Sequence, residues 1–147
     1  MDMYKNRYLH PYIKSDLEKR MIFIGGPRQV GKTTFARIIS RKYKHPIYLN
    51  WDNRNHKKKI IDMQWQPEGD IIIFDEVHKY PEWKSHIKGI WDTRQHNERI
   101  IVTGSARLDI FRRGGDSLLG RYHYYRLHPF SLAEINHRTF VERHSMD

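Results

Sequence analysis

Residues 21–34 read MIFIGGPRQVGKTT and decide the fold, because an apolar strand, a glycine-containing loop and the start of a helix follow one another directly. Residues 26–33 match the phosphate-binding pattern G-x-x-x-x-G-K-[ST] in the context that this pattern requires. The backbone N–H groups of such a loop, at a helix N-terminus, are expected to surround phosphate oxygens. The stretch therefore predicts a nucleoside triphosphate site, with ATP and Mg²⁺ as the expected cofactors.

The residues of this loop have distinct expected roles. Gly31 permits backbone conformations that other residues avoid. Lys32 is expected to reach the β- and γ-phosphates, and Thr33 to place its hydroxyl on Mg²⁺. The predicted nucleotide-binding residues are Gly26, Pro27, Arg28, Gln29, Val30, Gly31, Lys32, Thr33 and Thr34. A glycine-rich turn with a chance lysine is the alternative interpretation.

Strands and helices alternate around the loop, which is typical of a three-layer α/β domain with helices on both faces of a sheet. We expect a mostly parallel, five-stranded sheet with strands at residues 21–25, 47–50, 71–74, 99–103 and 122–127. Helices are expected from Lys32 to His45-Pro46, near 57–64, from Pro81 to near Asn97, and over about 132–142 after a capping box of Ser131 and Glu134. The single P-loop domain, residues 1–147, divides into an N-terminal segment (1–20), a nucleotide-binding core (21–127) and a C-terminal helix and tail (128–147).

An acidic pair follows the apolar run 71–74. Asp75 and Glu76 come at the carboxyl end of a predicted buried strand, where open α/β sheets bind ligands. Neighbouring strand residues point to opposite sides, so different roles are expected. We predict that Asp75 holds Mg²⁺ and that Glu76, as a catalytic residue, orients the attacking water or accepts its proton. Without the loop upstream, an acidic turn would be the better interpretation.

Two further segments carry candidate residues. Thr103 and Ser105 end the next predicted strand, where a hydroxyl would approach the γ-phosphate, although these residue types also suit an ordinary turn. Arg121 follows the glycine-rich stretch 114–120, a place from which it would stabilise phosphate charge in its own or a neighbouring subunit. A solvated arginine is the default interpretation for Arg121 and for its rivals Arg107, Arg112 and Arg113.

Composition limits the remaining classes. The chain has 27 Lys and Arg against 17 Asp and Glu, a net charge of +10 that favours polyanionic partners, and we expect weak, non-specific nucleic-acid binding. Short basic runs such as 57–59 are interpreted as solvated surface. The absence of cysteine excludes disulfides and thiolate chemistry, and the ten histidines lack metal-binding spacing. With no long apolar run and no signal-peptide layout, the protein is predicted to be cytoplasmic and without membrane contact.

Four segments, GPRQVGKTT, IIIFDEVHKYPEW, IVTGSA and SLLGRYHYYRLHPFSLAE, resemble in this order the ATPase core of a prokaryotic AAA-type family. The resemblance spans residues 20–135 and implies ATP binding and competence for hydrolysis. It also implies sensor roles for Thr103 and Ser105 and an arginine-finger role for Arg121, within a homo-oligomer. In such a sheet, the loop strand lies between the strand ending at Thr103 and the last strand.

The chain departs from this family in two respects. The family often has an acidic residue after the second strand, where this chain reads Leu49-Asn50-Trp51-Asp52. Family members continue into a helical lid and a C-terminal domain, and a chain ending at Asp147 is expected to lack both. The leading function is Mg²⁺-dependent ATP hydrolysis, weak in this form. The alternatives are a nucleotide-binding module with little turnover and a DNA- or RNA-associated ATPase, the latter suggested by the charge and by a DExH-like sequence at 75–78.

Overall fold

The computed structural model describes residues 9–27, 31–105, 118, 120–127 and 141–145, with only the backbone of residues 9–11 and 141–145. Within these residues the helices are α1 (Leu9–Lys19), α2 (Lys32–Ser40), α3 (Arg54–Asp62) and α4 (Trp83–Asp92), with a short 3-10 helix at Val77–Lys79. The strands are β1 (Met21–Gly25), β2 (Pro46–Asn50), β3 (Ile71–Asp75), β4 (Arg99–Thr103), β5 (Tyr122–Leu127) and β6 (Val141–Ser145). None of the described helices has the length and apolar character needed to cross a bilayer.

The strands form one sheet in the order β2-β3-β4-β1-β5-β6. Strands β1 to β5 are mutually parallel, and β6 runs antiparallel to β5. The predicted place of β1, between β4 and β5, is confirmed. Since parallel strands end at the same side of a sheet, we call that side the carboxyl edge and the opposite side the amino edge.

Helices cover both faces of the sheet, as the three-layer α/β prediction requires. Side chains alternate along β1, so Met21 and Phe23 pack into one apolar cluster and Ile22 and Ile24 into the other. The first cluster includes Ile60 of α3 with Trp83, Ile87 and Ile90 of α4, whereas the second includes Ile13 and Leu17 of α1 with Phe35, Ala36 and Ile39 of α2. The central strands are therefore buried on both sides, as is usual in parallel sheets.

All four helices differ from the predictions. Helix α2 ends at Ser40 instead of near His45, and α3 covers Arg54–Asp62 instead of 57–64. Helix α1 lies in the N-terminal segment, for which no helix was predicted, and its Ile13 and Leu17, one turn apart, pack against the sheet. Helix α4 ends at Asp92 instead of near Asn97. The Arg94 guanidinium donates to the carbonyl of Trp91 at 2.8 Å and to that of Glu98 at 3.0 Å. It thereby provides a donor for a carbonyl of the last turn, which a backbone N–H would bond if the helix continued.

The C-terminal helix prediction is wrong at its end. Residues 141–145 form β6, so Val141 and Glu142 belong to a strand and the sheet has six strands instead of five. Pairing with β6 satisfies backbone groups along the outer side of β5, which a helix at these residues would leave to solvent. The remainder of the predicted helix and its capping box lie outside the described residues.

A buried polar network joins α1 to β5. Asp16 lies 2.9 Å from Nδ1 of His123 and accepts a hydrogen bond from the Tyr125 hydroxyl. The Arg20 guanidinium, which has only donors, lies 2.7 Å from Nε2 of the same histidine. Nε2 must therefore accept and Nδ1 must donate to Asp16, so the histidine ring is held in one tautomer. This network fixes α1 against the sheet face that also carries α2.

Candidate nucleotide-binding site

The described residues at the two ends of the loop between β1 and α2 have backbone conformations that favour glycine. Gly26 has φ 143° and Gly31 has φ 86°, ψ 24°, conformations that are strained for residues with a Cβ. Gly31 is the N-cap of α2, so the helix begins at Lys32 with its amino end facing the loop. Residues 28–30, which include the predicted contacts Arg28, Gln29 and Val30, lie outside the described residues.

Lys32 is folded over the loop that precedes it. Its ammonium donates to the carbonyl oxygens of Gly26 at 2.7 Å and Pro27 at 2.9 Å, and the residue is buried. The positive charge of Lys32 therefore lies close to the amino end of α2 and to the preceding loop. A helix amino end is a position at which an anion is stabilised. The predicted contact of Lys32 with the β- and γ-phosphates stays a prediction.

Asp75 is the centre of the hydroxyl network at the carboxyl edge. It is 4% exposed and ends β3, with Asn50 of β2 and Thr103 of β4 as its register partners. The Thr33 hydroxyl donates to its Oδ2 at 2.8 Å and the Thr103 hydroxyl to its Oδ1 at 2.7 Å. The structure thus brings the two predicted metal residues, Thr33 and Asp75, into direct contact.

Tyr48 and Asn50 of β2 complete this network, and neither was predicted as a site residue. The Tyr48 hydroxyl donates to Asp75 Oδ2 at 2.5 Å, and the Asn50 amide donates to the Tyr48 oxygen at 3.2 Å. Burial first, and then the Asp75 carboxylate, raise the pKa of Tyr48 to about 12. A tyrosine two residues before the end of β2, a strand that leads to the carboxyl edge, was the available signal for this residue.

Replacing Tyr48 with phenylalanine is expected to lower the free energy of unfolding by about 1.5 kcal/mol at pH 8, because a hydrogen bond to a carboxylate is lost. The pKa of Tyr48 is raised from 10.0 to about 12, so this contribution is complete below pH 10 and is lost as the pH rises toward 12. Urea unfolding of both proteins at several pH values measures the difference. The control is Tyr80→Phe, which keeps the ring that stacks on Trp51 at 4.6 Å. A constant difference up to pH 12 would contradict the hydrogen bond.

Glu76 lies beyond the end of the strand and adopts a different geometry from the one expected. Its backbone has φ 60°, ψ 19°, which is the left-handed region. The direction of its side chain is therefore set by this turn, and the alternating pattern of β3 does not extend to it. Its N–H donates to the Thr103 carbonyl at 3.0 Å. Its carboxylate lies 3.5 Å from Nε2 of His78 and 3.5 Å from Nζ of Lys79. Such backbone strain is often found at functional sites.

The predicted sensor residues have different surroundings. Thr103 is fully buried with its hydroxyl on Asp75. Ser105 is partly exposed, and its hydroxyl lies 3.2 Å from Nε2 of His78. Both therefore lie at the carboxyl edge. Thr103 contacts Asp75, the predicted metal residue, and Ser105 contacts His78, which follows Glu76 in the chain.

An open cleft of about 460 Å³ lies at this edge. Five of its lining residues were predicted from the sequence: Gly31, Lys32, Thr33, Thr34 and Glu76. The other two, Asp52 and Lys79, were not. Asp52 and Lys79 form an ion pair at 2.8 Å. The place of Asp52, just past the end of a parallel strand, was a signal that it would lie at the ligand edge.

Arg121 lies at the amino edge, away from this cleft. Its carbonyl accepts from the N–H of Met21 at 2.8 Å, at the start of β1, whereas Lys32 lies past the end of the same strand. Its Nε donates to Asp92 Oδ1 at 3.0 Å and its second terminal nitrogen to Oδ2 at 3.4 Å, and this hydrogen bonding is the main cause that lowers the pKa of Asp92. This position is far from the cleft of its own subunit, and the role in a neighbouring subunit stays a prediction.

The donor set at the carboxyl edge fits Mg²⁺. The oxygens that meet there are one carboxylate and hydroxyl groups, which are hard ligands suited to that ion. Among the described residues no group of three or more His, Cys, Asp or Glu side chains could enclose a metal by itself. Mg²⁺ usually binds through one or two carboxylates together with water and substrate phosphates, so few protein ligands are expected.

Comparison with known proteins identifies the family of this chain. Residues 18–136 match the family described as AAA domain. Uncharacterized proteins of Mycobacterium bovis and Mycobacterium tuberculosis are each 23% identical over 117 residues, 78% of this chain. The chain spans about a quarter of the length of these relatives, 26%.

Solved structures show the same fold. The Pif1 helicase from Bacteroides in complex with ADP-AlF3 and ssDNA superposes with a TM-score of 0.51 at 12% identity, over 87% of this chain and 42% of that chain. The same helicase in complex with ADP-AlF4 gives the same TM-score, identity and coverage. At this identity the likeness concerns the fold alone. The chain belongs to the AAA domain family and has the nucleotide-binding fold of P-loop ATPases.

Proposed function

We propose that this chain binds ATP with Mg²⁺ and hydrolyses it. The observation that carries the proposal is the placement of Thr33 and Thr103 on Asp75, at 2.8 and 2.7 Å, directly beside the loop that holds Lys32. In this proposal residues 26–33 are a Walker A loop, and Asp75 with Glu76 is a Walker B pair. The family match and the P-loop fold support ATP as the nucleotide.

Each residue then has a part in the reaction. Backbone N–H groups of the loop and of Thr34 bind phosphate oxygens, and the Lys32 ammonium binds the β- and γ-phosphates. Thr33 and Asp75 would hold Mg²⁺, which neutralises charge on the phosphates when bound. Glu76 accepts the proton of the attacking water. Thr103 positions Asp75, and Ser105, together with His78, borders the same edge of the sheet.

The Lys32→Ala protein is expected to bind Mg²⁺-ATP at least about 100-fold more weakly, because charge-assisted hydrogen bonds to the phosphates are lost. Calorimetric titration of the folded proteins measures this, with circular dichroism to check that the variant keeps its fold. Lys42→Ala, at an exposed lysine beyond α2, is the matched control and should bind as the wild type does. Equal affinities for all three proteins would disprove the site assignment.

The position of Arg121 favours a second candidate function. A lone subunit has this arginine at the edge opposite its own cleft, so it would bind ATP and hydrolyse it slowly. Such a protein would act as a nucleotide-dependent binding module. Hydrolysis that depends on assembly separates the two functions, because only the ATPase would gain turnover when subunits associate.

A nucleic-acid partner is supported by charge. Helix α3 carries four exposed cations, Arg54, Lys57, Lys58 and Lys59, on a chain of net charge +10. Titration with labelled single-stranded DNA is expected to give a Kd of about 10⁻⁴ to 10⁻⁶ M at physiological salt, and tighter binding at low salt, for every sequence used. Tight and sequence-selective binding that survives physiological salt would contradict a solvated basic surface and favour a nucleic-acid-associated ATPase.

A further inference from the structure

Lys79 bridges two acidic residues at the mouth of the cleft. It ends the 3-10 helix that follows β3, and its ammonium donates to both carboxylate oxygens of Asp52, at 2.9 and 2.8 Å. The same ammonium lies 3.5 Å from the carboxylate of Glu76. All three side chains line the cleft that also contains Lys32 and Thr33. One cation thus connects the ends of β2 and β3 at the point where hydrolysis is proposed to occur.

Glu76 needs such a contact, because the sheet does not fix its side chain. Its left-handed backbone removes it from the alternating pattern of β3, and its side chain is 25% exposed. A carboxylate that must face an attacking water has to be held near its productive geometry by neighbouring groups. The hydrogen bond to Asp52 is the largest cause that raises the pKa of Lys79, so the ammonium stays charged beside the carboxylate.

We propose that Lys79 is a positioning residue for hydrolysis, held in place by Asp52 and directing the Glu76 carboxylate toward the attacking water. The proposal rests on the proposed ATPase function. In the step concerned, the bond between the water oxygen and the γ-phosphorus forms as the bond from that phosphorus to the bridging oxygen breaks. ADP leaves with the electron pair, and Glu76 takes the water proton.

The geometry favours this role over direct phosphate binding. An ammonium has three donors, and in the structure carboxylate oxygens lie at 2.8, 2.9 and 3.5 Å from it. A lysine that bound the substrate phosphates would have to leave Asp52, and its loss would weaken nucleotide binding. A lysine that only orients Glu76 affects the transition state and leaves ground-state binding nearly unchanged.

The test compares Lys79→Ala, Lys79→Arg and Asp52→Asn with the wild type. We expect kcat to fall about tenfold in Lys79→Ala and in Asp52→Asn, with KM within about twofold, since a small misplacement of a catalytic group has effects of this size. Arginine keeps a bidentate contact with Asp52 and should restore most of kcat. Lys44→Ala, at an exposed lysine between α2 and β2, is the control and should match the wild type. Melting temperatures should agree within about 3 °C, because exposed ion pairs contribute little to stability.

A second measurement does not depend on turnover. Calorimetry with Mg²⁺, ADP and aluminium fluoride, a mimic of the transferring phosphoryl group, should show about tenfold weaker binding to Lys79→Ala, while ADP alone binds within about twofold of the wild type. A raised KM or weaker ADP binding with unchanged kcat would overturn the positioning role. An unchanged or increased kcat, with unchanged binding of the aluminium fluoride complex, would also overturn it.

Failure of the proposed function gives a different result. Wild type that binds no nucleotide overturns both the function and this inference. Wild type that binds ATP without turning it over overturns the ATPase proposal, and the aluminium fluoride measurement then decides the role of Lys79 by itself.

Discussion

The Glu76→Gln protein is expected to bind Mg²⁺-ATP within about twofold of the wild type and to hydrolyse it at least about 10²-fold more slowly, because general bases contribute 10²- to 10⁴-fold. Glutamine has the same shape and can occupy the same turn, at φ 60°, so the cleft should keep its form. What is lost is the carboxylate that we propose accepts the proton of water. Calorimetry gives the affinity, and phosphate release under saturating ATP gives the rate.

Two further variants make the result specific. Glu82→Gln replaces an exposed glutamate at the start of α4 and should leave both affinity and rate unchanged. Asp75→Asn should instead raise the Mg²⁺ concentration needed for binding, since it weakens the carboxylate that meets Thr33 and Thr103. If Glu76→Gln hydrolysed ATP at the wild-type rate, Glu76 would be a turn residue and the proposed mechanism would be wrong.

Turnover per subunit is expected to rise with protein concentration, while the affinity for ATP stays constant, if Arg121 acts on a neighbouring molecule as predicted. Arginine fingers contribute about 10³- to 10⁵-fold in rate in well-studied GTPases, so even partial assembly should be visible. Arg121 would exchange Asp92 for the phosphates of the neighbour, and an exposed ion pair of this kind is easily broken. The measurement is the ATPase rate per subunit over a broad range of protein concentration.

Mixing two inactive variants tests whether the arginine acts between subunits. Arg121→Ala has an intact loop and Lys32→Ala has an intact arginine, so the mixture should regain activity that neither protein has alone. Arg54→Ala, at an exposed arginine of α3, is the control and should behave as the wild type. A rate per subunit that is independent of concentration, together with no recovery in the mixture, would exclude the role between subunits and favour the nucleotide-binding module.

The sequence was sufficient for the features that depend on local patterns. The loop was visible because Gly26 and Gly31 occupy backbone conformations that favour glycine, and Lys32 begins a helix at the predicted residue. Strands β1, β4 and β5 have the predicted bounds. For β1 and β4 the signal was a continuous apolar run, which is typical of strands buried on both faces. The place of Asp75 at the carboxyl edge followed from the strand that it ends. Helix α1 and strand β6 were not predicted, because their positions depend on packing and pairing with distant residues.

The sequence by itself therefore determined a P-loop fold and the edge of the sheet at which its phosphate loop and acidic pair lie. Only the tertiary structure decided the partners of those residues. Tyr48 reaches Asp75 and Lys79 reaches Asp52 across 27 residues of chain, and Arg121 pairs with Asp92 at the far edge. The physical reason is that local patterns fix backbone conformation and burial, whereas strand order and register fix which distant side chains come within hydrogen-bonding distance.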